Sequence, residues 1–352
     1  MRYTLKNTLQ WIAGEIAEGA NQRKGRTMKK IISPKAEFIA SMLIFSTLGF
    51  FRHGVLFSSS LLVFFRALIG SAFLALLFAL GRSHFAWEAV TKHKKRLAIA
   101  GAITALDWIL LFEAYKYTTV AIATMCYCMS SLIFLLASPF LFGEKITRRR
   151  GIAAACAVFG MTFVSGMISG KLTGGFGIFL ALMGACCYAA VMALGKDLSD
   201  IDGMSLACVE MGIASLAVLP YVLFTEDFSA IQIDLRSIVY TVILGVAHTG
   251  IAYSLWFSAL QHLAAQSISL LSYIDPVSSV FVSAILLSEP LTPITAIGCV
   301  IVIGSMVYGE LGDGKAKQTP ASASLSQGGT TAATVRKSVG VNSLQPSNEW
   351  RK

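Results

Sequence analysis

The chain contains ten apolar segments, each long enough to cross a lipid bilayer. A hydrocarbon core of about 30 Å needs about 20 residues of helix. The segments lack the two-residue alternation of membrane-barrel strands, so we expect helices. They run from Phe38 to Phe57, Ser60 to Leu80, Leu97 to Tyr115, Thr119 to Phe142, Gly151 to Ser169, Phe176 to Gly195, Met204 to Phe224, Ser237 to Phe257, Ser267 to Leu287 and Ile294 to Tyr308. The sequence thus predicts an all-α membrane protein with ten transmembrane helices.

The composition argues against a soluble protein that buries these helices. Hydrophobic residues make up 55% of the chain and charged residues 14%, and the mean hydropathy is +0.68. A soluble fold needs enough polar surface to enclose its apolar core. This chain has too few charged residues to enclose ten such segments.

The net charge of +10 reports membrane topology and does not indicate a nucleic-acid partner. With the N-terminus in the cytoplasm, 24 of the 29 Lys and Arg residues fall in cytoplasmic segments, one lies within a span and four fall outside. Basic residues accumulate on the cytoplasmic side of membrane proteins. We therefore expect a multi-pass protein of the cytoplasmic membrane with both termini in the cytoplasm. The basic run from Lys92 to Arg96 either anchors this topology or binds anionic lipid headgroups.

Two terminal segments lie outside the predicted spans. Residues 1–36 lack the apolar region of a signal peptide, and we expect a cytoplasmic leader there. Residues 310–352 are rich in Ser, Thr, Gly, Ala and Gln, a composition that predicts a disordered cytoplasmic tail.

The chain repeats itself at a distance of 145 residues. Ala114 to Thr147 aligns without a gap with Ala259 to Thr292, and in this alignment Glu144 corresponds to Glu289. Five spans separate the two copies, and because five is odd the second copy enters the membrane from the opposite side. Two inverted halves allow one midplane site to open to each side in turn, which favours a transporter over a static pore.

The repeated motifs resemble those of the EamA family of the drug/metabolite transporter superfamily. They are FEAYKYTTVAIATMCY and FGEKIT in the first half and FSALQHLAAQSISLLSYIDPVSSVF and LSEPLT in the second. Arg66, in span two, also matches an arginine that such proteins often carry. The resemblance implies two inverted five-helix repeats, residues 37–169 and 174–309, around a central cavity. It also implies secondary transport of metabolites or amino acids. One departure is visible, because Asp275-Pro276 stands where the first half has Ser130-Ser131, so the helix break is expected in the second half only.

Ionisable residues within the spans are the first candidates for a substrate or ion pathway, because they are costly in lipid and usually face a cavity or a partner. Arg66 either binds a substrate carboxylate through two parallel N–H groups or pairs with an acid such as Glu113. Asp107, at mid-span, either carries a coupling proton, contacts a substrate amine or forms a polar pair between helices. His248 either titrates during transport or is hydrogen-bonded to a neighbouring helix. Glu113 and Glu210 lie nearer the span ends, where they are close enough to reach water.

Further candidates come from a helix break and from aromatic residues. Pro276, after Asp275, deprives the carbonyl of Leu271 or Ser272 of its helical partner, so the opened turn either contacts substrate or is only a kink. Five aromatic residues either line an apolar cavity with polar tips or serve as packing residues. They are Trp108, Tyr127, Tyr253, Trp256 and Tyr273.

The sequence carries no recognisable catalytic constellation, cofactor motif, ATP-binding domain or metal-ligand cluster. All seven cysteines fall within predicted spans, where we expect packing residues. We therefore expect no enzyme activity, no cofactor and no metal. The favoured function is a secondary transporter, most readily an exporter, of a small amino-acid-like metabolite, with protons as a candidate coupling ion. The alternatives are a non-transporting membrane scaffold or sensor, and a membrane-embedded enzyme acting on a lipid-linked substrate.

Overall fold

The computed structural model describes residues 33–164, 174–232, 234–288 and 291–310, and these residues form helices joined by short connections, with no strand among them. The helices are α1 (Pro34–Ser46), α2 (Leu48–His53), α3 (Ser59–Ala79), α4 (Trp87–Lys92), α5 (Lys94–Tyr117), α6 (Val120–Phe142), α7 (Arg148–Val164), α8 (Gly175–Asp197), α9 (Gly203–Thr225), α10 (Leu235–Ile243), α11 (Ala252–Leu260), α12 (Ala265–Leu271), α13 (Ile274–Leu286) and α14 (Pro293–Glu310). A π-helical segment, Leu244–Ile251, joins α10 to α11 without a break, and a single 3₁₀ turn spans Phe228–Ala230.

Within the described ranges, nine helical stretches are long and apolar enough to cross a membrane. They correspond to the predicted spans one to four and six to ten. The fifth, Gly151 to Ser169, is described only as far as Val164, as α7, so the count of ten stays a prediction. Most of the leader and all but the first residue of the tail lie outside the described residues.

Three of the spans depart from a single regular α-helix. Span one is interrupted at Thr47, whose backbone N–H and hydroxyl both donate to the Ile44 carbonyl, at 3.1 and 2.8 Å, and close a tight turn. Span eight contains the π segment, which widens the backbone for one to two turns. Span nine is interrupted between α12 and α13, just before Pro276.

Polar side chains begin several helices where the sequence leaves the membrane. Ser58 Oγ accepts the Leu61 N–H at 3.2 Å, and Thr119 Oγ1 accepts the Ile122 N–H at 3.2 Å. Asp202 Oδ1 accepts two N–H groups at the start of α9. Asp234 begins α10, and its hydrogen bond from Ser237 lowers the pKa of its carboxyl. These caps satisfy backbone donors at helix ends that have no intrahelical partner.

The outer surface of the bundle is apolar, as a lipid-facing surface must be. Phe140 is 91% exposed and Phe224 is 90% exposed, which is unfavourable in water and favourable in hydrocarbon.

Close packing between α7 and α14 rests on glycines. A Cβ atom at Gly298 would lie 2.7 Å from the backbone nitrogen of Val164, so only glycine permits this helix crossing.

The helix contacts follow the reciprocal order expected of inverted halves. α5, in the first half, packs against α8, the first span of the second half. Correspondingly, α1, the first span of the first half, packs against the π segment and α11 in the second half. The pairs α3 with α9 and α7 with α14 join corresponding spans of the two halves. The centre of this arrangement is therefore lined by both halves.

Candidate functional site

A buried carboxylate lies at the centre of the bundle. Asp107, on α5, is 1% exposed. Its Oδ2 accepts a hydrogen bond from the Tyr127 hydroxyl at 2.8 Å, whereas its buried Oδ1 has no partner within the described residues. An unpartnered buried carboxylate oxygen is costly. Asp107 is therefore equipped to receive a further donor, either a proton or a cationic group of a ligand.

A cationic side chain stands beside this carboxylate. The guanidinium of Arg66, on α3, lies 5.2 Å from the ring centroid of Trp108, the residue next to Asp107. Arg66 Nε is buried and has no partner within the described residues. Arg66 attracts the Asp107 carboxylate, but no ion pair joins the two in the described part of the chain. The centre thus presents an anionic group and a cationic group that are not paired with each other.

Aromatic rings from both halves connect to this pair of charges. Tyr127 stacks on Tyr188 with ring centroids 5.4 Å apart, and Tyr188 stacks on Trp256 at 5.8 Å. Tyr253 meets Trp256 edge to face at 5.7 Å. Tyr188 was not predicted from the sequence, because a single tyrosine in the small-residue helix α8 carries no local signal. Tyr127, Tyr253 and Trp256 were predicted, and the structure brings all three to one place.

Another buried carboxylate belongs to Glu210, on α9. Glu210 is fully buried, and its Oε1 accepts the Thr104 hydroxyl at 2.8 Å, one helical turn before Asp107 on α5. Its Oε2 has no partner in the described ranges. The expectation that Glu210 reaches water at a span end is wrong, because α9 begins at Gly203 and packs against α3, α5 and α11 at this level.

Glu113 lies apart from the centre. Its carboxylate interacts with Lys116 Nζ at 2.6 Å and also accepts a hydrogen bond from the Tyr221 hydroxyl. This group lies near the end of α5, with Lys116 exposed. The suggested pairing of Arg66 with Glu113 is therefore wrong, because Glu113 is held by a closer cation on its own helix.

His248 connects the two irregular spans. It lies in the π segment, is 2% exposed, and its Nε2 lies 2.8 Å from Thr47 Oγ1 at the interruption of span one. Phe51 contacts its ring edge to face, with centroids 5.4 Å apart. This geometry matches the second interpretation drawn from the sequence, in which His248 is hydrogen-bonded to a neighbouring helix.

The Asp275-Pro276 sequence begins α13, after the interruption of span nine. Asp275 Oδ1 and its carbonyl both accept from the Ser279 hydroxyl, at 3.4 and 2.9 Å. Tyr273, at the interruption, is 1% exposed, and its hydroxyl has no partner among the described residues. In the first half, α6 continues without interruption through Ser130-Ser131. The expected one-sided break is therefore present.

The two halves meet at the end of the bundle that carries the basic loops, which we call the basic end (residues 80–96 and 143–150). Glu144, after α6, accepts the Ala265 N–H at 2.8 Å and lies 3.3 Å from Lys196 Nζ on α8. Lys196 also donates to the Leu263 carbonyl, and Gln266 Nε2 donates to the Lys145 carbonyl at 2.7 Å. These bonds tie the first half to the second and close the basic end.

At the opposite end α6 and α13 pack mainly against different helices. α6 packs against α12, the part of span nine nearest the basic end, whereas α13 packs against α1 and α2 instead. Tyr127, on α6, and Asp275, at the start of α13, are partly exposed although they lie deep along their helices.

Comparison with known proteins points to one class. The sequence model described as the EamA-like transporter family matches residues 37–166 and 175–308. The chain is similar to an uncharacterized transporter, YxxF, of Bacillus subtilis, with 27% identity over 71% of this chain and 80% of the relative. It is also similar to a protein of Escherichia coli named "Probable amino-acid metabolite efflux pump", with 21% identity over 60% of this chain and 74% of the relative.

A solved crystal structure has a similar fold. Its TM-score with this chain is 0.68 at 20% sequence identity, and the match covers 79% of this chain and 98% of the other. At this identity the likeness concerns the fold alone.

Proposed function

Because the chain belongs to the EamA-like transporter family, we propose that it is a secondary transporter, not an enzyme, that exports a small amino-acid-like zwitterion across the cytoplasmic membrane. The observation that carries the proposal is the central pair of Arg66 and Asp107. Each has a buried polar atom without a partner among the described residues. A zwitterion offers a carboxylate for the guanidinium and an ammonium for the carboxylate, so both free atoms gain partners when it binds.

The aromatic side chains complete the proposed substrate site. Trp108, Tyr188 and Trp256 supply apolar aromatic surface close to the charged pair. Such surface excludes water from the two ionic contacts and thereby strengthens them. Two relatives are named "Probable amino-acid metabolite efflux pump", which supports an amino-acid-like substrate and outward transport.

The transport mechanism that we propose is alternating access by the two inverted halves. The basic end, proposed to be cytoplasmic, is held closed by Glu144 and Lys196 from different halves, and we place the opening to the other side between α6 and α13, where Tyr127 and Asp275 are partly exposed. In the opposite state the basic end opens and the other end closes. Export then requires substrate to enter at the basic end, with both chain termini on that side.

Asp107 is the proposed proton-binding group. Protonation neutralises the carboxylate, which removes its attraction for a substrate ammonium and favours release. A proton that enters from outside therefore replaces the substrate that leaves. The pH gradient across the membrane then drives export of the substrate.

The test is flux in proteoliposomes that contain the purified full-length protein. Labelled amino acids and small amines are screened with and without a pH gradient, and Asp107→Asn is compared with the unmodified protein. We expect gradient-driven flux to fall at least tenfold in Asp107→Asn. Glu113→Gln is the matched control, because Glu113 lies within a span but outside the central site, and its flux should stay within twofold.

Two results would overturn the proposal. If no zwitterion or amine moves in verified, folded protein, the substrate class is wrong and the scaffold and enzyme alternatives regain support. If Asp107→Asn keeps the full response to the pH gradient, Asp107 does not carry the coupling proton.

A further inference from the structure

A groove separate from the central site runs along the lipid-facing surface between α3 and α9. Its cavity of about 900 Å³ is bordered by Leu68 and Ala75 on α3 and by Gly212 and Leu216 on α9. Phe85, in the loop after α3, and Trp87, the first residue of α4, close it at the basic end. Leu68 and Leu216 are both exposed, so the groove opens sideways toward the hydrocarbon of the membrane.

The length of the groove matches one leaflet of a bilayer. It follows α3 from Leu68 to Ala79, about 17 Å at helical rise, and continues to Gly81 just after the helix. One leaflet contributes about 15 Å of hydrocarbon. The groove therefore spans the apolar part of a leaflet and ends at the headgroup level, which is the depth that an acyl chain requires.

The mouth of the groove carries one unpaired cationic side chain beside a histidine. Arg82 follows Gly81, and His84 borders the cavity itself. Both side chains are exposed, and neither has a hydrogen bond or ion pair within the described residues. The nearby Lys92 differs, because it is paired with Asp200 at 3.1 Å. Arg82 and His84 are thus available to an anionic group at the membrane surface.

We propose that this groove binds one phospholipid of the leaflet at the basic end, with an acyl chain between α3 and α9 and the phosphate at Arg82 and His84. An apolar slot and an adjoining cationic mouth match the two chemical parts of such a lipid. Because α3 and α9 belong to different halves, the bound lipid contacts both halves at once. The inference does not depend on the identity of the transported substrate.

Native mass spectrometry of the full-length protein in detergent tests the proposal. Delipidated protein is titrated with dioleoylphosphatidylglycerol and with dioleoylglycerol, which has the same chains and no phosphate. We expect one phosphatidylglycerol to be retained at least tenfold more tightly than dioleoylglycerol. Equal retention of the two lipids in the unmodified protein overturns the role of the phosphate, and this comparison needs no variant.

Two pairs of variants separate the groove from its mouth. Ala75→Trp fills the groove, and Ala102→Trp places the same side chain at an exposed position of α5 outside it. We expect lipid retention to fall at least tenfold in Ala75→Trp only. Arg82→Gln should weaken phosphatidylglycerol about fivefold and leave dioleoylglycerol unchanged, whereas Arg148→Gln, an exposed basic residue elsewhere, should change neither. Equal retention by the two tryptophan variants, or equal losses in the two glutamine variants, refutes the assignment of this site.

Discussion

The closure at the basic end predicts a local opening when Glu144 is changed to Gln. The Glu144 side chain is 21% exposed and that of Lys196 is 13% exposed, with 3.3 Å between their charged atoms, so solvent screens the ion pair only in part. Glutamine keeps an acceptor for the Ala265 N–H but loses the charge. A charge-assisted hydrogen bond is worth about twice a neutral one. The variant should therefore lose about 1–2 kcal/mol of closure, which raises the open population about 5- to 30-fold.

Hydrogen–deuterium exchange in lipid nanodiscs measures this opening directly. The Ala265 amide is itself bonded to Glu144, so exchange at the first residues of α12 should accelerate by the same 5- to 30-fold factor. Exchange at the start of α6, at the opposite end, should stay the same or slow down. Unchanged protection of α12, or uniform acceleration over the whole bundle, would refute the reasoning, because the first excludes a closing role and the second indicates general unfolding.

Three further predictions concern the site and the packing around it. Arg66→Lys keeps the charge but loses the planar donor pair, so KM for a transported zwitterion should rise about tenfold in the flux assay with little change in the maximal rate. Thr47→Val removes the bond to His248 and should cost about 1 kcal/mol, seen as a lower thermal unfolding temperature; Thr47→Ser, which keeps the hydroxyl, should recover most of the loss. Gly298→Leu should lower that temperature by several degrees because its Cβ meets the α7 backbone, whereas Gly304→Leu, with nothing within 4 Å of its Cβ, should not.

The all-helical fold and the family follow from the sequence because lipid imposes simple rules. Apolar length predicts spans, and the two copies that end in FGEKIT and LSEPLT predict the family resemblance that is confirmed over residues 37–166 and 175–308. The one-sided break at Asp275-Pro276 also follows from sequence, since proline has a local and known effect on a helix. These signals need no knowledge of which helices touch.

The interior of the site is less accessible to sequence reasoning because it depends on those contacts. Arg66 and Asp107 can each be recognised as unusual in lipid, but only packing decides that Arg66 meets Trp108 and that Glu113 is held by Lys116. The π segment around His248 contains Gly245 and Gly250 but no proline, and glycines are also frequent in regular transmembrane helices, so they do not identify it. Tyr188 resembles any other aromatic residue in a span until the stacking with Trp256 is seen.

The interruption of span nine, set against the continuous α6, makes the two halves mechanically unequal. In an alternating-access carrier with unequal halves, the outward-open state is not a mirror copy of the inward-open state. We therefore expect different substrate affinities at the two faces of the membrane. Thermodynamics nevertheless requires that any such difference be offset by the rates of the return steps, since the gradients alone determine the final distribution of substrate. In the transport cycle that we propose, the broken helix therefore affects how fast the carrier works from each side, and the ion and substrate gradients determine the direction of net flow.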